Sequence, residues 1–201
     1  TLQMSQPLRL VILYNALIMK RIRSIVATAL CVLTASAQIR IATPGTELIL
    51  KADVGVEPQI QYFGERLSDT DVANLQAAGV PNHNAYPAYG LWCASEASLG
   101  VTHSDGNMST VLRVESVTQT DEPTAKVTRI KMKDTVYPFY VTLCYRAYQD
   151  VDMIETWTEI ENLEKKPVVL TRFDSGYLPL RAGDVWISHL HGTWAAEGLL
   201  V

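Results

Sequence analysis

The stretch AKVTRIKMKD, Ala125 to Asp134, decides the fold. Val127, Arg129, Lys131 and Lys133 oppose Thr128, Ile130 and Met132, a separation with a period of two. Successive Cβ atoms alternate across a strand, so this period sends one row to a core and the other to water. A helix would need apolar residues three and four apart. The stretch is predicted as a β-strand.

The same alternation runs outward in both directions. In YPFYVTLCYRAYQD (Tyr137 to Asp150), Val141, Leu143, Tyr145 and Ala147 share one face, and Thr142, Cys144, Arg146 and Tyr148 the other. On the other side, LGVTHSDGNMSTVLRVESVTQT reads as strand, turn, strand. Asp105-Gly106 tolerates positive φ and predicts a hairpin; Val111, Arg113, Glu115 and Val117 alternate with Leu112, Val114 and Ser116. ELILKADVG is a short strand ending at Gly55. In PQIQYFGERL, Ile60 and Tyr62 oppose Gln59 and Gln61, with Gly64 at a hairpin tip. SDTDVANLQAAGVPNHN breaks the pattern: Ser68 or Asp69 caps a short helix through Ala77, ended by Gly79 and Pro81. VDMIETWTEIENLEKK fits two periods. Ile154, Thr156, Thr158 and Ile160 make a strand face, while Met153, Ile154, Trp157, Ile160 and Leu163 make a helical one. PVVLTRFDSGYLPL and DVWISHLHGTWAAEG add two strand-like runs. Nine or ten short strands between turn signals predict an all-β sandwich.

The N-terminus reads as a targeting segment. From Met19, Lys20, Arg21 and Arg23 form a positive region, Ser24 to Thr34 is mostly apolar, and Ala35-Ser36-Ala37 places small residues before Gln38. This is the pattern of a secretory signal peptide. A lipoprotein signal fits less well, because Leu30 precedes Cys31 where a small residue is needed. The apolar run is also shorter than the ~20 residues of a membrane span. Residues 1–18 then read as upstream sequence or, if Met4 is the start, as an extended leader. The remainder, 38–201, suits one domain at ~100–200 residues per domain. The protein is expected to be exported, to the periplasm or the extracellular space, and to leave the membrane after cleavage.

The net charge is −4. Removing residues 1–37 takes away Arg9, Lys20, Arg21 and Arg23 and no acidic residue, which leaves −8. That balance disfavours nucleic acid and other polyanions. Export permits a disulfide between Cys93 and Cys144, but their spacing is no framework, and both also read as small buried hydrophobes.

Known chemistries leave few marks. There is no phosphate loop and no G-x-S-x-G nucleophile elbow. His189 and His191 share a strand face in HLH, as metal ligands can, with His103 or Asp105 as a conceivable third ligand. Without a telling third spacing they read as structural histidines, and no metal is assigned. Glu155, Glu159 and Glu161 lie in one element, but no carboxylate pair stands out from a solvated acidic face. In NAYPAYGLW (Asn84 to Trp92), two tyrosines, a tryptophan, a proline and a glycine fit a sugar-stacking surface, a piece of core or a turn. Tyr86, Tyr89, Trp92, Trp157, Trp186 and Trp194 are the aromatics that could stack on sugar.

At YPAYG, VTHSDGNMST, TRIKMKDTVYPFYVTLCYRAYQDVDMIETWTEIEN, EKKPVVL and HLHGTWAAE, the chain resembles the N-terminal domain of glycoside hydrolase family 36 α-galactosidases, from about Glu47 to Val201. The resemblance implies a β-supersandwich, a galactose-mutarotase-like two-sheet sandwich, that precedes a (β/α)₈ barrel. In the family that barrel carries the aspartate nucleophile and the aspartate acid/base of a retaining enzyme. By this resemblance the chain is expected to stop before the supersandwich is complete and before the barrel, so no catalytic residue is assigned. The implied partners are the barrel itself, α-galactoside oligosaccharides bound by the full enzyme, and further copies of the protein. No metal or organic cofactor is implied. Family members can lend a loop of this domain to a neighbour's active site. Here that loop is Glu65 to Ala85, with Asp69 and Asp71 its polar candidates. The resemblance also tips VDMIETWTEIEN towards strand, and makes Tyr86, Tyr89, Trp92 and Trp194 structural or interface anchors. A stand-alone carbohydrate-binding or interaction module is the alternative.

Overall fold

The computed structural model describes residues 38–77, 83–90, 96–180, 190–193 and 196–200, the last two segments by their backbone. The proposed leader, residues 1–37, lies outside them, as do Trp92, Cys93, Trp186, His189 and Trp194.

Twelve strands and one helix lie among the described residues. The first sheet runs β1 (Gln38–Ala42), β2 (Thr46–Lys51), β3 (Gln59–Glu65) and β4 (His83–Asn84), all antiparallel. The helix α1 (Asp69–Ala77) lies in the excursion between β3 and β4. The second sheet is a meander of β6 (Leu112–Asp121), β7 (Ala125–Asp134), β8 (Phe139–Tyr148) and β9 (Ile154–Asn162). β5 (Leu99–Thr102) pairs with β10 (Val169–Phe173), and β11 (Leu190–Thr193) with β12 (Ala196–Leu200).

The core lies between the inner faces of the two four-stranded sheets. Ile39, Ile41, Leu48, Leu50 and Ile60 of the first meet Leu112, Val114, Ile130, Met132, Val141 and Leu143 of the second, with Leu99 and Val101 of β5. The alternation read in AKVTRIKMKD holds: Ile130 and Met132 are fully buried, whereas Arg129 and Lys131 sit on the half-exposed outer face. Register extends this row, since Ile130 faces Leu143 and Met132 faces Val141 across the β7–β8 ladder. VDMIETWTEIEN forms a strand from Ile154 to Asn162, and its Ile154, Thr156, Thr158 and Ile160 lie opposite Ala147, Tyr145, Leu143 and Val141. A strand satisfies β8's second edge, which a helix would leave with unpaired backbone groups.

Simple alternation fails where a bulge inserts one residue and flips the chain beyond it. In β3, Ile49 faces Tyr62 and Leu50 faces Ile60, leaving Gln61 extra. Ile60 and Phe63 therefore point to the sandwich interior with Leu50 and Leu48, while Tyr62 points the other way, so Ile60 and Tyr62 do not share a face. In β6 the extra residue is Glu115, and Val117 joins Val114 on the core side instead of opposing it. Gly64 is not a hairpin tip. It pairs with Glu47 inside β3, and a Cβ there would lie 2.6 Å from Tyr62 Oη.

The Asp105-Gly106 turn forms, with Gly106 at φ 91° and its N–H donating to the His103 carbonyl at 2.9 Å. It does not make a two-strand hairpin, because β5 pairs with β10 and β6 with β7.

Cys144 is unpaired and buried on the outer face of the meander. Register sets it between Arg129 and Trp157. The Trp157 ring lies beneath the guanidinium groups of Arg129 and Arg146, at 5.8 and 5.2 Å.

Candidate functional site

The excursion that leaves β3 at Glu65 is gripped at its root. Arg40 on β1 and Glu47 on β2 lie on the outer face of the first sheet, where the register sets Arg40 opposite Ile49 and Glu47 two residues along from it. Arg40 Nε donates to Glu47 Oε1, and Arg40 Nη2 to Glu47 Oε2 at 3.0 Å. The Leu67 N–H donates to Glu47 Oε2 at 3.1 Å, while the Leu67 carbonyl accepts from Arg40 Nη2 at 2.9 Å. One ion pair thus holds both peptide groups of Leu67. The Glu47 side chain is fully buried. Burial works to raise its pKa, but the Arg40 guanidinium and the Leu67 N–H outweigh it and hold the carboxyl below its ordinary value.

The chain then turns into α1. The Ser68 hydroxyl accepts the Asp71 N–H at 3.2 Å and donates to the Asp71 carboxylate at 2.6 Å, so of the two caps the sequence offered, Ser68 and Asp69, the structure uses Ser68. Asp69 takes a 2.6 Å bond from Arg40 Nη1, with its side chain 98% exposed. Both carboxylates sit in the first helical turn, where the helix dipole favours negative charge. They are brought to one end of a surface helix and face no third acid: among the described residues no group of three or more His, Cys, Asp or Glu could hold a metal ion.

The YPAYG turn divides its tyrosines. Tyr86 is fully buried and donates its hydroxyl to the Asp174 carbonyl at 2.9 Å. Tyr89 is 58% exposed, with its backbone tied to Leu99 and Thr110. Gly90 has φ 127°, and a Cβ there would fall 2.6 Å from the Thr110 nitrogen. Trp157, another stacking candidate, spends its ring on Arg129 and Arg146 and its Nε1–H on Glu159 Oε1 at 3.0 Å.

Three of the quoted motifs converge at His103. Its Nδ1 lies 2.7 Å from Glu164 Oε1 and its Nε2 2.9 Å from Thr110 Oγ1. The ring stacks on Tyr137 at 3.8 Å and meets Phe139 edge-on at 5.8 Å. Glu164 Oε2 accepts the Ser104 N–H at 3.1 Å. Tyr137 donates its hydroxyl to Asp105 Oδ2 at 2.7 Å and accepts from Asn107 Nδ2 at 2.9 Å. The Asn107 N–H and the Tyr137 hydroxyl hold the Asp105 carboxyl below its ordinary value. The side chains of His103 and Glu164 are 0% and 4% exposed, so both ring nitrogens are committed inside the protein. This cluster offers no open position to a substrate or a metal. It braces the HSDG turn against the β9–β10 connection.

The sequence profile of the glycosyl hydrolase family 36 N-terminal domain matches residues 56–200, well over half of the chain. The chain belongs to this family. Its fold is similar to solved α-galactosidases. Against the α-galactosidase from Lactobacillus brevis the TM-score is 0.67 at 17% identity, over 84% of this chain and 28% of that one. Against the family 36 α-galactosidase AgaA from Geobacillus stearothermophilus it is 0.58 at 20% identity, over 68% and 24%. Against the galactosidase domain of the α-galactosidase-sucrose kinase AgaSK it is 0.57 at 19% identity, over 67% and 23%. At these identities the likeness establishes the fold. The chain spans about a quarter of the length of these relatives. No curated protein matches it.

In this family 36 N-terminal domain, sequence reasoning named the excursion, its cap and the YPAYG turn, but missed the Arg40–Glu47 clamp and the His103–Glu164 brace. The one available signal for the brace was a lone histidine followed at once by a Ser-Asp-Gly turn. Its acidic partner lies 61 residues away and carries no local mark.

Proposed function

We propose that this chain is the non-catalytic N-terminal β-supersandwich of an exported α-galactosidase. In this reading the full protein removes terminal α-linked galactose with retention, through a glycosyl-enzyme intermediate formed on one carboxylate while a second serves as acid and base. Both carboxylates belong to a barrel beyond this chain. The domain docks that barrel, and its 65–85 excursion, with the exposed Asp69 at the start of α1, is presented to a neighbouring subunit. The segment 19–37 directs export to the periplasm or outside the cell.

The observation that carries the reading is the family match across residues 56–200 on a fold shared with three α-galactosidases. The experiment is to clone the gene in its genomic frame and assay p-nitrophenyl α-galactoside hydrolysis by the full product and by residues 38–201. Hydrolysis by the full product, with none from residues 38–201, is expected. A gene product that has no barrel and hydrolyses nothing would overturn the reading and leave the binding or interaction module.

A further inference from the structure

A cavity of about 440 Å³ opens between β2–β3 and the β8–β9 side of the meander, lined by none of the clamp or His103 brace residues. It falls within the roughly 300–1,000 Å³ of small-molecule sites. Leu48, Phe63, Ile154 and Leu178 give it apolar walls. Phe63 and Leu178, each about two-fifths exposed, stand at its rim. The β3 bulge at Gln61 is what turns Phe63 inward to this position.

Tyr145 reaches the cavity from the inner face of β8 and is only 5% exposed. Its hydroxyl has no hydrogen-bond partner among the described residues. Tyr86, similarly buried, spends its hydroxyl on a carbonyl. Buried phenol hydroxyls ordinarily find a partner in protein, water or ligand, so Tyr145 presents an unused donor and acceptor to the cavity.

The remaining polar groups define what would satisfy it. The Thr46 and Thr156 hydroxyls and the Asp152 carboxylate line the walls, and no Lys, Arg or His does. Asp152 is exposed at the cavity edge and already accepts from the Thr43 and Thr46 hydroxyls, the latter at 2.9 Å. An anionic ligand would meet this carboxylate with no counter-charge. A hydrocarbon would leave the Tyr145 hydroxyl without a partner. A neutral polyhydroxylated ring supplies hydroxyls for the polar wall and a C–H face for Phe63 and Tyr177. Gly176 keeps one wall open, since a Cβ there would lie 3.0 Å from Thr156 Oγ1.

We propose that this cavity binds a neutral saccharide ring, with Tyr145 and Asp152 addressing its hydroxyls and Phe63 its apolar face. The inference stands apart from the hydrolytic reading, because it uses only residues of this chain. The test is equilibrium dialysis of radiolabelled galactose against the full-length protein and its Tyr145→Phe and Asp152→Asn variants. Each variant is expected to weaken one saturable galactose component about tenfold, the scale of one buried hydrogen bond. Tyr145→Phe keeps the ring, so the fold survives the change. Galactose binding unaltered in both variants overturns the proposal. So does a structure of the full-length protein in which polypeptide fills the cavity. Hydrolysis is scored separately: its absence defeats the proposed function and leaves the dialysis result interpretable.

Discussion

His103 Nδ1 and Glu164 Oε1 lie 2.7 Å apart inside the protein, joining the HSDG turn to the segment that follows β9. Burial works against the Glu164 charge, but the bonds from His103 and Ser104 prevail and its pKa falls below the ordinary 4.5. A depressed folded-state pKa contributes stability that is present above the unfolded value and is lost as pH falls through the folded one. Thermal melts from pH 7 to pH 3 are therefore expected to show a drop in Tm below about pH 4.5. Glu164→Gln should lower Tm at pH 7 by the equivalent of about 1–3 kcal/mol and flatten that acid drop. A Gln variant with an unchanged acid profile would remove Glu164 from this role.

The Arg40–Glu47 clamp makes a prediction about a segment rather than the whole fold. Glu47→Ala strips Arg40 of its buried partner, leaving only the exposed Asp69 as its carboxylate, and frees the Leu67 N–H. Losing hydrogen bonds to a charged group in such a half-buried cluster costs about 1–3 kcal/mol. Hydrogen exchange at Leu67 and Val72 is expected to accelerate well beyond that at Ile130, which sits in the opposite sheet. Uniform acceleration at all three would mean the clamp serves only global stability.

Glycine positions separate strain from collision. Gly90 and Gly106 both have positive φ, but only Gly90 faces backbone within 3 Å of a new Cβ. Gly106→Ala is expected to cost about 1 kcal/mol, whereas Gly90→Ala should exceed 2 kcal/mol on the order of a strained site with a clash. Denaturant unfolding reads both, and equal costs would contradict the packing of the YPAYG turn against Ser109 and Thr110.

The two tyrosines of that turn should part company. Tyr86→Phe, which deletes the hydroxyl bonded to Asp174, is expected to cost about 0.5–1.5 kcal/mol, and Tyr86→Ala about 3–5 kcal/mol. Tyr89→Ala should stay within about 0.5 kcal/mol. A large loss from Tyr89→Ala in calorimetry would place that ring in the core.

Burial pushes the Cys144 thiol up to about 12, so its thiolate is scarce at pH 8. In a background with Cys31 and Cys93 replaced by serine, Cys144 should resist Ellman's reagent in the native protein and react fully in guanidinium. Rapid native labelling would show that Cys144 is not buried in the folded protein.

Sequence patterning carried the strands because alternation is local and each of β7, β8 and β9 has one wet face. It failed at Gln61 and Glu115, because a bulge is set by the partner strand and not by the bulged residues. It failed at Gly64 and Asp105-Gly106 for a related reason: the turn chemistry was visible, but which strands paired across it was not. For the candidate site, a cap at Ser68 or Asp69 was readable from their neighbours, and only the folded chain chose Ser68. Arg40, Glu47, His103 and Glu164 were not, because their roles exist only once distant segments meet. Tyr145 was grouped on one face with Val141, Leu143 and Ala147, the face the structure buries, yet nothing local distinguished its free hydroxyl from the satisfied one of Tyr86.

The pairing of β5 with β10 sets the order in which the molecule can assemble. The meander β6 to β9 is built from neighbours in sequence, so its ladders close short loops and form early. β5 precedes that meander and β10 follows it, and their ladder closes a loop containing all four strands. On a ribosome, Leu99 to Thr102 must wait, apolar and without a partner strand, until the last of β10 has emerged. That interval is when a second nascent chain could supply the missing strand, and slowing translation between Asn162 and Phe173 should lengthen it.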